Sequence, residues 1–101
     1  MDIIYPALTI DKIRTYITAR HEHLAIAESV TSGFLQAAFS TAQDASLFFE
    51  GGITTYNIDQ KERHLHIDRD TGEATNCVSA KTADDMAAGV CKLFKIGRAH
   101  V

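Results

Sequence analysis

The chain has no basic block, and that absence sets the first constraint. Ten Lys and Arg stand against thirteen Asp and Glu, for a formal net charge of -3. Such a balance lacks the electrostatic footprint with which proteins grip a phosphate backbone, so nucleic acid is not an expected partner. Cysteine is almost absent too. Cys77 and Cys91 are the only two, and neither their number nor their separation resembles a zinc knuckle or a disulfide scaffold. No apolar run is long enough to cross a bilayer, and no charged segment leads into an apolar stretch as in a leader peptide. A cytoplasmic location is the expectation that follows. Internal repeats and low-complexity linkers are also missing. What remains, 101 residues with 46% hydrophobic and 23% charged, describes one small globular domain.

Hydrophobic periodicity gives the chain an alternating order of helix and strand, the pattern of a layered α/β architecture. Ile10, Ile13 and Ile17 mark one face of a first helix over 10–22. Residues 23–28 are too short and too continuously apolar for a surface helix, and read as a strand. Phe34, Leu35, Ala38 and Phe39 define a second helical face over 31–42, closed by the polar turn Gln43-Asp44-Ala45-Ser46. Residues 47–56 are rich in β-branched and aromatic side chains and form a second strand, in which Gly51-Gly52 suggests a bulge or a close backbone approach. Asn57 followed by Gln60 resembles a capping box and starts a helix at Ile58. Residues 68–76 read as a solvated connection. Ser79 caps a last helix over 80–95, whose stripe Ala83, Met86, Ala87, Val90, Cys91 and Phe94 accounts for Cys91 as a packed thiol. Cys77 falls in a loop or strand with no assigned role.

Two polar residues stand at element junctions of this pattern. Ser29 ends the first strand and Lys61 lies in the first turn of the helix after the second strand, so both can reach one rim of a sheet. A serine nucleophile with a lysine base is the chemistry this pairing suggests, provided that the lysine acts in its neutral form, which a desolvated pocket favours. The turn after Ser29 presents free backbone N–H groups, and Ser32 and Gly33 allow close approach of an oxyanion or a phosphate. Tyr56, at the end of the second strand, can position a substrate or relay a proton. Each residue also has a plain structural reading: Ser29 as a cap, Lys61 as a solvated cation, Tyr56 as a packed ring, and Glu28 as an ion-pair partner that occupies Lys61. His64, His66, Asp68 and Asp70 alternate as on a metal-binding strand, but no further ligand cluster accompanies them, and a solvated surface is the stronger reading. His21 and His23 suit the negative end of a helix.

The segments Ala27-Glu28-Ser29-Val30-Thr31-Ser32-Gly33 and Gly51-Gly52-Ile53-Thr54-Thr55-Tyr56-Asn57-Ile58-Asp59-Gln60-Lys61, with Val78-Ser79 opening a helix that holds Met86 and Gly89, resemble the C-terminal domain of the CinA competence/damage-inducible family over residues 8–95. The resemblance implies an α/β/α domain and an amidohydrolase that converts the carboxamide of nicotinamide mononucleotide to a carboxylate and ammonia. Residue by residue, it implies Ser29 as nucleophile, Lys61 as base, Tyr56 as the aromatic of the family's Thr-Tyr block, and a substrate-binding turn at Thr31, Ser32 and Gly33. Neither a metal nor a cofactor is implied, the partner is a small nucleotide, and a homo-oligomer stays open. The family's usual Ser-Cys-Thr-Gly-Gly is Ser29-Val30-Thr31-Ser32-Gly33 here, so Ser32 replaces a glycine.

The family pattern continues past the last helix into further strands that this sequence lacks. Ile96-Gly97-Arg98-Ala99-His100-Val101 breaks the helical pattern and resembles a translated sequencing adapter. The expectation is therefore a partial domain over 1–95, with about two strands and four helices, and a non-native tail over 96–101. Such a fragment is expected to carry the catalytic pair without enough of the pocket to use it. The rival reading is a non-catalytic nucleotide-binding or assembly domain of the same fold.

Overall fold

A parallel pair of strands sits at the centre of the molecule, with helices on both of its faces. The computed structural model describes residues 4–96, so the tail expected over 96–101 lies outside the described residues from position 97 onward. The elements follow as α1 (Ala7–Ala19), β1 (Leu24–Glu28), α2 (Phe34–Ser40), a 3-10 turn (Ala45–Leu47), β2 (Phe49–Thr54), α3 (Ile58–Leu65), α4 (Arg69–Ala74) and α5 (Ala80–Leu93). Strand alternation sorts the core into two layers. Ile26 points to one face, where it joins Ile10, Ala38, Phe39 and Phe48. Ala25, Ala27 and Ile53 point to the other, against Leu65, Ile67, Met86 and Val90. These are the α/β/α layers that the family resemblance implies, and they agree with the layered α/β order of the alternating pattern.

The double glycine does what its position suggests. Leu24 pairs with Phe49 but Ala25 pairs with Gly51, which leaves Glu50 as the extra residue of a bulge, and Gly51 has φ of +117°. At Gly52 a Cβ would come within 2.4 Å of the Ile26 carbonyl oxygen and 2.7 Å of the Gln36 side chain, so the close approach of β1, β2 and α2 needs glycine there.

Two expectations need correction. The first helix lies three residues earlier than periodicity indicates, because Pro6 opens it and His21, with φ of +54°, turns the chain after Arg20. His21 and His23 thus lie beyond the helix end, and His23 Nδ1 pairs with Glu50 Oε2 at 2.9 Å. Residues 68–76 are not a solvated connection but contain α4, a fifth helix. Asp68 caps it by accepting from the Thr71 amide, and Gly72 is buried against Ile58, Ile67 and Cys77. His64, His66, Asp68 and Asp70 therefore do not share a strand face: His64 is in α3, His66 is its left-handed C-cap, and Asp68 and Asp70 open α4.

Candidate active site

Both strands run the same way, so their carboxyl ends meet at one rim, the place where open α/β sheets hold their ligands. The amide of Thr55 donates to the Glu28 carbonyl at 2.9 Å and extends the ladder one rung past the strands. That rung fixes Ser29 beside Thr55. On the far side of Tyr56, Asn57 accepts from the Gln60 amide at 3.0 Å and starts α3 with Lys61 in its first turn. The capping residue thereby sets the direction from which the lysine enters the rim.

Lys61 is 2% exposed. Its Nζ donates to the Thr55 carbonyl at 2.7 Å and lies 2.9 Å from Ser29 Oγ, within hydrogen-bond reach. An amine held between a carbonyl and a hydroxyl keeps one direction free for proton exchange with that hydroxyl. Thr55 is fully buried, and its Oγ1 has no hydrogen-bond partner among the described residues.

The ion pair between Glu28 and Lys61, one structural reading of the sequence, does not form. Glu28 is turned to the opposite side, where its carboxylate accepts from Thr31 Oγ1 at 2.6 Å and from the amides of Leu35 and Gln36 at 2.9 and 2.8 Å. Burial pushes its pKa up, but those three donors outweigh burial, and the carboxyl is held below its ordinary range. The N-terminus of α2, read from the sequence as a place for a phosphate, is thus filled by a side chain of the protein itself.

A cavity of about 760 Å³ opens beside the pair, and its lining includes Ser29, Val30, Tyr56 and Lys61 together with Glu73, Asn76 and Cys77 from α4 and the turn after it. Tyr56 is 66% exposed at its mouth. Thr31, Ser32 and Gly33 do not line it. Thr31 is bonded to Glu28, Ser32 closes a turn by donating its amide to the Ser29 carbonyl at 3.1 Å, and Gly33 stands at the N-cap of α2 with φ of +100°. Ser32 has φ of +54°, a left-handed conformation that costs a serine more than it would a glycine. The wall made by α4 and the turn after it was not anticipated. The spacing of Asp68 and Thr71, a capping pattern, is the sequence signal that could have found it.

Fold and site together define an α/β domain with a buried lysine against a serine hydroxyl at the carboxyl rim of a parallel sheet. The family model described as "CinA C-terminal domain" matches residues 8–99. This chain belongs to that family. A CinA-like protein of Prochlorococcus marinus is 38% identical over 78 residues, 77% of this chain and 18% of that relative. Two crystal structures are similar. A competence-damaged protein (CinA) superfamily protein of Escherichia coli has a TM-score of 0.85 and 27% identity, covering 89% of this chain and 52% of that one. One from Enterobacter cloacae has a TM-score of 0.86 and 25% identity, covering 95% and 57%. The chain spans under a fifth of the curated relative and just over half of the solved chains.

Proposed function

We propose that this domain supplies the nucleophile and base of an amidohydrolase acting on nicotinamide mononucleotide. The observation that carries the reading is the 2.9 Å separation of Lys61 Nζ and Ser29 Oγ, with the amine buried and anchored to the Thr55 carbonyl. Neutral Lys61 takes the proton of Ser29 as Oγ bonds to the carboxamide carbon. The carbonyl oxygen becomes an oxyanion, for which the Val30 amide, next to the nucleophile, is a candidate backbone donor. Collapse of that intermediate breaks the C–N bond, and the Lys61 ammonium protonates the departing nitrogen to give ammonia. Water, losing its proton to Lys61, then attacks the ester on Ser29. The carboxylic acid leaves and the serine hydroxyl is restored.

Tyr56 stands at the cavity mouth, where a ring can flank the substrate and its hydroxyl can meet the leaving group. The test is ammonia release from nicotinamide mononucleotide by this chain, and by a chimera in which it replaces its counterpart in the Escherichia coli relative. Turnover by the chimera should fall at least about a thousandfold in Ser29→Ala and in Lys61→Ala, as for loss of a nucleophile or its base. Undiminished turnover in either variant would remove the dyad. Tight binding without turnover in the chimera would favour the rival reading of a ligand-holding domain.

A further inference from the structure

Among the described residues the buried polar side chains are Glu28, Thr55, Lys61 and Thr82. Three of them are partnered. Glu28 accepts from Thr31 and two amides of α2, Thr82 Oγ1 accepts from Ser79 Oγ at 3.0 Å, and Lys61 Nζ meets Ser29 and the Thr55 carbonyl. Thr55 is the exception: it is 0% exposed and its Oγ1 is unbonded. A hydroxyl kept dry and unpaired costs stability, and a valine would fill the same space without that cost. Its place in the strand points to a use. Thr54 Oγ1 accepts from Gln36 Nε2 of α2 at 3.2 Å, so Thr55, next along a ladder that its own amide extends, turns its side chain to the opposite face. On that face Ile53 packs with Ile58 and Leu65 of α3. Lys61 enters from the same helix, and its Nζ already donates to the carbonyl of Thr55 at 2.7 Å.

A neutral amine has two N–H bonds and one lone pair, and Lys61 can take the Ser29 proton only if that lone pair points at Oγ. The Thr55 carbonyl fixes one N–H and leaves the amine free to spin about it. A second acceptor would stop the spin. We propose that Thr55 holds Lys61 by both of its oxygens, the carbonyl taking one N–H and the hydroxyl the other, so that the third position on the nitrogen faces Ser29 Oγ. In the structure the second bond is open; it closes as the amine turns its lone pair onto the serine. The proposal rests on the amidohydrolase reading and adds a positioning residue to it. The third position is the lone pair when Lys61 takes the serine proton, and an N–H when it passes that proton to the departing nitrogen. One clamp serves both steps. Thr55 does not line the cavity, so it acts through Lys61 and not on the substrate.

The test compares Thr55→Val, which exchanges the hydroxyl for a methyl of similar size, with Thr55→Ser, which keeps the hydroxyl and loses the methyl. Both kcat and KM for ammonia release from nicotinamide mononucleotide are measured on this chain and on its chimera with the Escherichia coli relative. Thermal melts by circular dichroism are recorded on the same preparations. In Thr55→Val kcat should fall at least about tenfold, the worth of a hydrogen bond to a charged group, with KM held within about twofold. Thr55→Ser should recover most of that loss although it melts below Thr55→Val, because its missing methyl weakens packing. A role in packing alone ranks the rates as the melting temperatures are ranked. An undiminished kcat in Thr55→Val, equal losses in both variants, or a rise in KM in place of a fall in kcat would each overturn the proposal while turnover by the unsubstituted proteins keeps the amidohydrolase reading. No turnover by the unsubstituted chain and chimera, both folded, would remove that reading and the clamp with it.

Discussion

At the scale of single residues, the site depends on a division of labour between Glu28 and Ser29. The two are adjacent in sequence, yet one side chain turns to the N-terminus of α2 and the other to Lys61. This separation matters because a carboxylate beside Lys61 would favour its charged form and hold it away from base chemistry. Glu28 has a folded-state pKa below its ordinary value, so its contribution to stability is present above that ordinary value, near pH 4.3, and is lost as the pH falls through the folded value. Acid titration followed by circular dichroism should therefore show an unfolding limb that begins below about pH 4.3. Glu28→Gln should flatten that limb and cost about 1–3 kcal/mol at neutral pH, because a backbone donor of α2 loses its acceptor. An unchanged acid limb in the variant would mean that Glu28 does not hold α2.

At the scale of elements, what places Lys61 is the start of α3. Asn57 caps that helix, and its carbonyl also accepts from the Lys61 amide at 3.0 Å, so one residue sets both the helix start and the height of the lysine. Asn57→Ala should cost about 1 kcal/mol of stability. Turnover should fall by a larger factor than that energy alone implies, since a shift of about 1 Å at a catalytic group can cost about a hundredfold. Thermal melts and ammonia release on the same preparation separate the two effects, and loss of stability with unchanged turnover would contradict the positioning role of the cap.

The caps at Asn57 and Ser79 were legible because they are local: each side chain reaches an amide three residues on. Helix α4 was not. Its residues Arg69, Asp70, Thr71, Gly72, Glu73 and Ala74 carry no apolar stripe, and its anchor is a glycine held by side chains from elsewhere, Ile58, Ile67 and Cys77. The same gap hid half of the candidate site, since the cavity wall at Glu73, Asn76 and Cys77 belongs to α4 and the turn after it. The role of Glu28 also escaped the sequence, because the amides that donate to its carboxylate, seven and eight residues on, depend on how the turn folds back.

At the scale of the whole molecule, the described sheet has two strands and two open edges. Beside the free edge of β1 lies a groove lined by Ala25, Ala27, Val30, Leu35, Ala83, Ala87 and Cys91. Val30 is 81% exposed and Leu35 44%. Unpaired backbone next to apolar side chains is a template for association, and a two-stranded sheet is a small base for a cooperative fold. Sedimentation should show mass rising with concentration, and thermal unfolding should be broad. Ala87→Glu, which puts a charge in the groove, should lower the association. A sharp two-state melt from a monomer at high concentration would show that the edges are harmless. None of the helices among the described residues is long and apolar enough to cross a membrane.

The proposed activation of Ser29 as a nucleophile by Lys61 is open to covalent trapping. The chain and its chimera with the Escherichia coli relative are mixed with a reactive ester of the substrate's acid, quenched in acid, digested and weighed by mass spectrometry. One acyl group is expected on the peptide that contains Ser29, none in Ser29→Ala, and acylation slowed by at least about a hundredfold in Lys61→Ala. Acylation of Ser29 at an undiminished rate in Lys61→Ala, or an acyl group on another residue in the intact chain, would contradict it.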